Sequence, residues 1–248
     1  MKKVWFGLAI GVAFLLSSGP AGASAYIETF NAGSAGWENG TISFPSGGVS
    51  ETASSWSSTG GNPGGYIYGG VPATNTGTAF YGFDGASDVA NFGNLTGLVL
   101  TTDFKTLGTG LVNTAGPTPF ARFFIGSGTT YYVSDDAFSW NPNNDTSWTT
   151  YQVAVNAADF ILWPIDSGPL TFAQVIADPT DIGIIFTGSA ANITALGYTG
   201  LGINGTTTTT IELDNFGTTA VPEPGILLLL APGLFGVGLF SKMRLAKK

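Results

Sequence analysis

The sequence predicts an all-β fold, an antiparallel β-sandwich, held between two apolar ends. Three observations predict it. Glycine is abundant and aromatics make up 13% of the chain, with threonine also frequent. No 15-residue stretch carries the 3.6-residue apolar period of an amphipathic helix. Short β-favouring runs alternate instead with Gly, Pro and Asn clusters that turn the chain.

Nine runs read as strands: Tyr26 to Phe30, Gly65 to Tyr68, Thr78 to Phe83, Leu98 to Phe104, Ala121 to Ile125, Thr130 to Val133, Thr149 to Val155, Asp181 to Thr187 and Thr207 to Phe216. Asn-Pro at 62–63 and 141–142 opens turns, and Gly47-Gly48, Gly60-Gly61 and Gly69-Gly70 mark others. Thr171 to Ala177 reads as one short helix or turn. Thr206 to Thr210 is simple in composition but β-favouring, which predicts an edge strand. Close strand spacing favours a sandwich. No internal repeat and no linker interrupts the stretch before Gly217, so one domain is expected over 26–216.

The two ends read as sorting segments. Lys2 and Lys3 precede an apolar run from Val4 to Leu16, and Ser17 to Pro20 break it. Ala23 and Ala25 then place small residues where signal peptidase accepts them, so residues 1–25 are expected to be a cleaved signal helix and Tyr26 the new terminus. At the other end Val221-Pro222-Glu223-Pro224 precedes sixteen apolar or small residues, 225–240, and a basic tail, 241–248. The prolines hold an extended, accessible segment. Sixteen residues rise roughly 24 Å as a helix, a little short of a ~30 Å hydrocarbon core, a gap that flanking residues and bilayer thinning cover. The basic tail favours the cytoplasmic side, so the domain faces outward. A retained N-terminal anchor and a plain C-terminal anchor are the competing readings.

This three-part tail, 217–248, resembles the PEP-CTERM sorting signal of Gram-negative bacteria. The resemblance implies export, tethering at the inner membrane facing the periplasm, processing by an exosortase near Val221, Pro222, Glu223 and Pro224, and release to the cell surface or an exopolysaccharide matrix. A second resemblance covers most of 26–216. Glu28-Thr29-Phe30 with Gly36-Trp37, then Gly61-Asn62-Pro63-Gly64-Gly65-Tyr66, then Trp148-Thr149-Thr150-Tyr151-Gln152-Val153 with Trp163, and Ile211-Glu212-Leu213-Asp214-Asn215-Phe216 are similar to segments of jelly-roll carbohydrate-binding modules and laminin B (IV type A) domains. Residues 106–119 match neither. The resemblance implies a jelly-roll-like topology. It also implies a structural calcium where first and last strands meet, with Glu28 and Asp214 as the carboxylates and backbone carbonyls completing the six to eight oxygens that calcium takes.

Composition excludes several activities. There is no histidine and no cysteine, so Ser-His-Asp, Cys-His and thiol chemistry are absent. Between Tyr26 and Ala220 two basic residues, Lys105 and Arg122, face fifteen acidic ones, a net charge of −13. Such a surface repels nucleic acid. It suits hydrated neutral polymers, cations, or solubility alone. No P-loop or dinucleotide fingerprint is present. A carboxylate pair of glycosidase type is the remaining catalytic option; Asp84 with Asp88, or Asp178 with Asp181, could supply a member, and adjacent Asp135 and Asp136 face opposite ways on a strand. The expectation is a non-enzymatic surface or matrix protein. Sugar recognition would need aromatic faces beside amides and carboxylates. Trp140 is the best choice, in a loop rich in Asn, and Tyr131, Tyr132 and Trp56 follow, with Tyr66 and Tyr68 also eligible. For each a core position competes. Trp37, Trp148 and Trp163 are expected to fill the core.

Overall fold

Among the described residues, fourteen strands form two antiparallel sheets whose inner faces meet in one core. The computed structural model describes residues 25–43, 48–71, 79–106, 120–135, 138–139, 147–163, 168–187 and 209–220. The strands are β1 Ile27–Glu28, β2 Glu38–Ser43, β3 Gly48–Ala53, β4 Ser55–Gly61, β5 Gly64–Val71, β6 Ala79–Asp84, β7 Leu98–Thr106, β8 Phe120–Ser127, β9 Thr130–Ser134, β10 Phe138–Ser139, β11 Thr149–Ala154, β12 Phe160–Leu162, β13 Asp181–Thr187 and β14 Thr209–Ala220. The six-stranded sheet runs β11-β7-β14-β5-β4, with β1 paired to β14. The eight-stranded sheet runs β12-β9-β8-β13-β6-β2-β3, with β10 paired to β8.

Strand alternation sends one set of side chains inward. Leu100, Phe104, Ile211, Leu213 and Ile67 from the six-stranded sheet meet Phe83, Phe123, Ile125, Ile182, Ile184 and Phe186 from the other. Edge-to-face aromatic pairs stitch the layers: Phe104 to Phe186 at 6.0 Å and Phe123 to Phe216 at 5.9 Å between centroids. Trp37 is fully buried against Phe30 and Phe216. Its ring lies so close to Gly85 that a Cβ there would sit 2.7 Å from it, which is why position 85 has no side chain. The short helix α1, Phe172–Ala177, is closed by a capping box of Thr171 and Gln174 and buries Phe172, Val175 and Ile176.

All nine expected strands and the helix are present. Four expectations differ. Gly69 and Gly70 lie inside β5, opposite Ile211 and Thr210. Gly60 and Gly61 end β4; the turn itself falls at Asn62-Pro63, a cis peptide. Thr209 and Thr210 begin β14, which is flanked by β5 and β7 and is therefore an interior strand, not an edge. The ladder also continues four residues past Phe216: Gly217, Thr218, Thr219 and Ala220 pair with Thr101, Leu100, Val99 and Leu98. On the far side Gly217 pairs with Ile27, and Thr218 N donates to the Tyr26 carbonyl at 2.7 Å.

Among the described residues no helix is long and apolar enough to cross a membrane. The expected signal helix through Ser24, including Ala23, lies outside the described residues. So do Val221 to Pro224, the apolar segment 225–240 and the basic tail. Ala25 is described and exposed.

Candidate functional site

The outward face of the six-stranded sheet concentrates the polar and aromatic chemistry. In β7 alternation sends Asp103 and Lys105 outward while Phe104 goes in, and in β14 it sends Glu212 and Asp214 outward while Leu213 goes in. Register aligns them: Lys105 stands opposite Glu212 and Asp103 opposite Asp214, with Glu212 opposite Tyr68 on the other side. Tyr66 lies two residues before Tyr68 on the same face of β5. Trp148 directly precedes β11 and completes the row.

These side chains touch. Lys105 Nζ lies 2.8 Å from Glu212 Oε2. It also stands 4.6 Å from the Trp148 ring centroid and 5.6 Å from that of Tyr66, within cation–π range. Trp148 and Tyr66 are 5.9 Å apart, Tyr66 and Tyr68 5.8 Å. Trp148 Nε1 donates to the Gly60 carbonyl at 3.1 Å, fixing the ring to the end of β4. All three rings are half-buried. Glu212 is only 1% exposed, held between the Lys105 ammonium and the Tyr66 hydroxyl. Burial raises the Tyr66 phenol above its ordinary range, and the Glu212 charge adds to it.

One row along β7 and β14, a polar network knits the turn to the sheet. Asp103 accepts from Asn215 Nδ2 at 2.8 Å, from Asn62 Nδ2 at 3.2 Å and from the Thr150 hydroxyl. Asp214 accepts from the backbone N–H of Asn215 at 2.7 Å and from that of Asn62. A β-bulge between Asp214 and Gly217, with Asn215 at φ 49°, turns the Asn215 amide toward Asp103. Burial pushes Asp214 up to about 6; the charges of Asp103 and Glu28 act in the same direction, against the two N–H donors.

Glu28 lies at the junction of first and last strands, as expected, paired with Phe216. Its Oε2 accepts from the Tyr26 hydroxyl and its Oε1 from the Phe30 N–H, both at 2.8 Å. Each of these two carboxylates therefore already organises local donors with both oxygens. Among the described residues no three Asp, Glu, His or Cys side chains gather as a cation would require.

The other sequence candidates scatter. Tyr132 packs edge-to-face on Phe172 at 5.2 Å and donates to the Leu170 carbonyl, so it closes the core over the helix rather than facing a ligand. Tyr131, its neighbour on β9, points to the opposite face and lies 6.3 Å from Phe124. Trp56 is 38% exposed, but on edge strand β4 it stands opposite inward-facing Ile67, on the other face from Tyr66 and Tyr68, and its indole N–H donates to the Phe30 carbonyl. Trp140 lies outside the described residues. Trp37 and Trp163 are buried as expected, whereas Trp148 is not in the core. The alternation of Trp148, Thr150 and Gln152 against Tyr151 and Val153 carries that signal, because it puts Trp148 on the polar side.

A second acidic group lies on the outer face of the eight-stranded sheet. Asp84 stands opposite Glu38, with Asp181 and Glu51 in electrostatic reach. Burial, reinforced by Asp181 and Glu51, raises Asp84 to about 7, while the Ala86 N–H on its Oδ1 opposes the shift. Asp88 instead serves its local turn, accepting from Asn91 Nδ2 at 3.4 Å.

No protein-family model matches the chain, and no curated protein matches it.

Proposed function

We propose that this chain is an exported, exosortase-processed protein of the cell surface or extracellular matrix, with no catalytic role, whose jelly-roll-like domain binds exopolysaccharide. The observation that supports this reading best is the closure of the fold on its own ends. Tyr26, the residue after the expected signal cut, pairs with Thr218, and the ladder runs on to Ala220, the residue before Val221-Pro222-Glu223-Pro224. A domain so closed loses none of its strands when both sorting segments leave. Pairing of the first strand with the last is also what a jelly-roll-like topology would give. A structural calcium at Glu28 and Asp214 would have to share oxygens already engaged by N–H and O–H donors, and the reading does not require it.

The experiment is fractionation of a Glu223→Ala, Pro224→Ala double variant expressed in a host with exosortase. The reading expects the full-length form to accumulate in the inner membrane and release to fall at least ten-fold. Release equal to wild type would remove the exosortase from the account.

One observation favours a second reading, a secreted carbohydrate-active enzyme. Asp84 at about 7 would be protonated in half of the molecules near neutrality, as a general acid must be. Loss of exopolysaccharide turnover in Asp84→Asn would establish it.

A further inference from the structure

We infer that the outer face of the six-stranded sheet, built on Tyr66, Tyr68 and Trp148, is the binding site of a single hydrated chain of neutral polysaccharide. The inference rests on the exopolysaccharide reading above and gives it a location that the sequence indicates only in part, since Tyr66 and Tyr68 are eligible there but Trp148 reads as a core residue.

Three features converge. The rings form a continuous row, with centroid spacings of 5.8 and 5.9 Å, half-buried and so held in place yet open to a ligand. Sugar C–H faces pack on such rings, while hydroxyls need polar partners at the edges. Those partners are present: Ser57 and Glu212 both engage the Tyr66 hydroxyl, and Asn62 and Asn215 border the row beside Asp103.

Charge selects the polymer. Lys105 is the cation of this face, and Glu212 already neutralises it at 2.8 Å. With Asp103 and Asp214 alongside, the face carries net negative charge and repels uronate or sulfate polymers. Geometry selects its state. Successive rings are inclined at 47° and 68°, so they do not form the flat platform that a crystalline surface would need. They suit a chain that twists from one sugar to the next.

Position supports the same use. The Lys105–Glu212 row lies eight residues from Ala220 along β14, roughly 26 Å at strand rise. A domain tethered through Val221 would hold this row away from the bilayer, on the side of the matrix.

The test is affinity electrophoresis of the detergent-solubilised full chain in gels containing galactomannan, mixed-linkage β-glucan, dextran or alginate. At least one neutral polymer should retard it and alginate should not. Tyr66→Ala and Trp148→Ala should each weaken retardation about ten-fold or more, with near-ultraviolet circular dichroism otherwise preserved, and Trp56→Ala should leave it unchanged. Retardation by none of the neutral polymers, or by alginate alone, would overturn the inference. So would undiminished binding in both ring variants; in that case the protein would still bind polysaccharide, at another site. Sorting is read separately by fractionation, so failure here leaves the export reading standing.

Discussion

A chain ending at Phe216 is expected not to hold its fold, whereas one ending at Ala220 melts like the full-length domain. The four residues between them are the last rungs of β14, an interior strand with β7 on one side and β1 on the other. Removing them strips the β14 partners from Leu98, Val99, Leu100 and Thr101 and leaves Tyr26 without its three bonds to Thr218. Thr218 itself is fully buried. Each lost backbone bond costs about 1 kcal/mol, more where a buried donor or acceptor is orphaned. The sum is several kcal/mol, set against a total stability of about 5–15 kcal/mol. At this size that corresponds to a fall of roughly 10–20 °C in Tm, or to loss of cooperative unfolding. Thermal melts of fragments 26–216 and 26–220 check it, and equal midpoints would show that β1 and the end of β14 contribute little.

The second large effect is on pH. Asp84 has an ordinary value of 3.8 and a folded value of about 7. Well below pH 3.8 it is protonated whether folded or unfolded. Between pH 4 and 7 the unfolded carboxyl ionises while the folded one resists, so stability falls as pH rises across that window and levels off above it. Asp214, raised to about 6, acts in the same direction. For Asp84 the full difference corresponds to roughly 4 kcal/mol, and its partial exposure to water reduces the expected effect to about 2 kcal/mol. Asp84→Asn keeps an oxygen to accept from the Ala86 N–H while removing the charge. The variant should match wild type at pH 4 and exceed it by about 2 kcal/mol at pH 8. Urea titrations at the two pH values check this. A wild type that gains stability from pH 5 to 8, or a variant that gains none, would mean that Asp84 is solvated.

The strands legible in the sequence are those with an apolar inner face. Leu98 to Phe104 and Asp181 to Thr187 supply Leu100, Phe104, Ile182, Ile184 and Phe186 to the core, and the pattern shows it. β3 and β4 were silent because they are edge strands made largely of Ser, Thr, Gly and Glu, with little apolar surface to alternate. β2 is similar in composition and is recognised by its pairing with β6, a contact between segments far apart in the chain. β10 and β12, of two and three residues, are too short for any period to register.

The site was less legible than the fold. Single aromatics were visible, and Tyr66 and Tyr68 were among them. Their assembly depends on cross-strand register, which brings Lys105, Glu212 and Tyr68 into one row from positions 105, 212 and 68. Composition is blind to such a row. Tyr132 shows the converse, because an aromatic in an eligible strand was claimed by a helix packed over it.

On the proposed reading the domain closes between two sorting segments and works after both are gone. Intact-mass measurement of the protein recovered from the matrix or medium of an exosortase-bearing host tests it most directly. The predicted species begins at Tyr26, ends beyond Ala220 and lacks the basic tail 241–248. A species that begins at Met1, retains Lys248, or ends within β14 would contradict it.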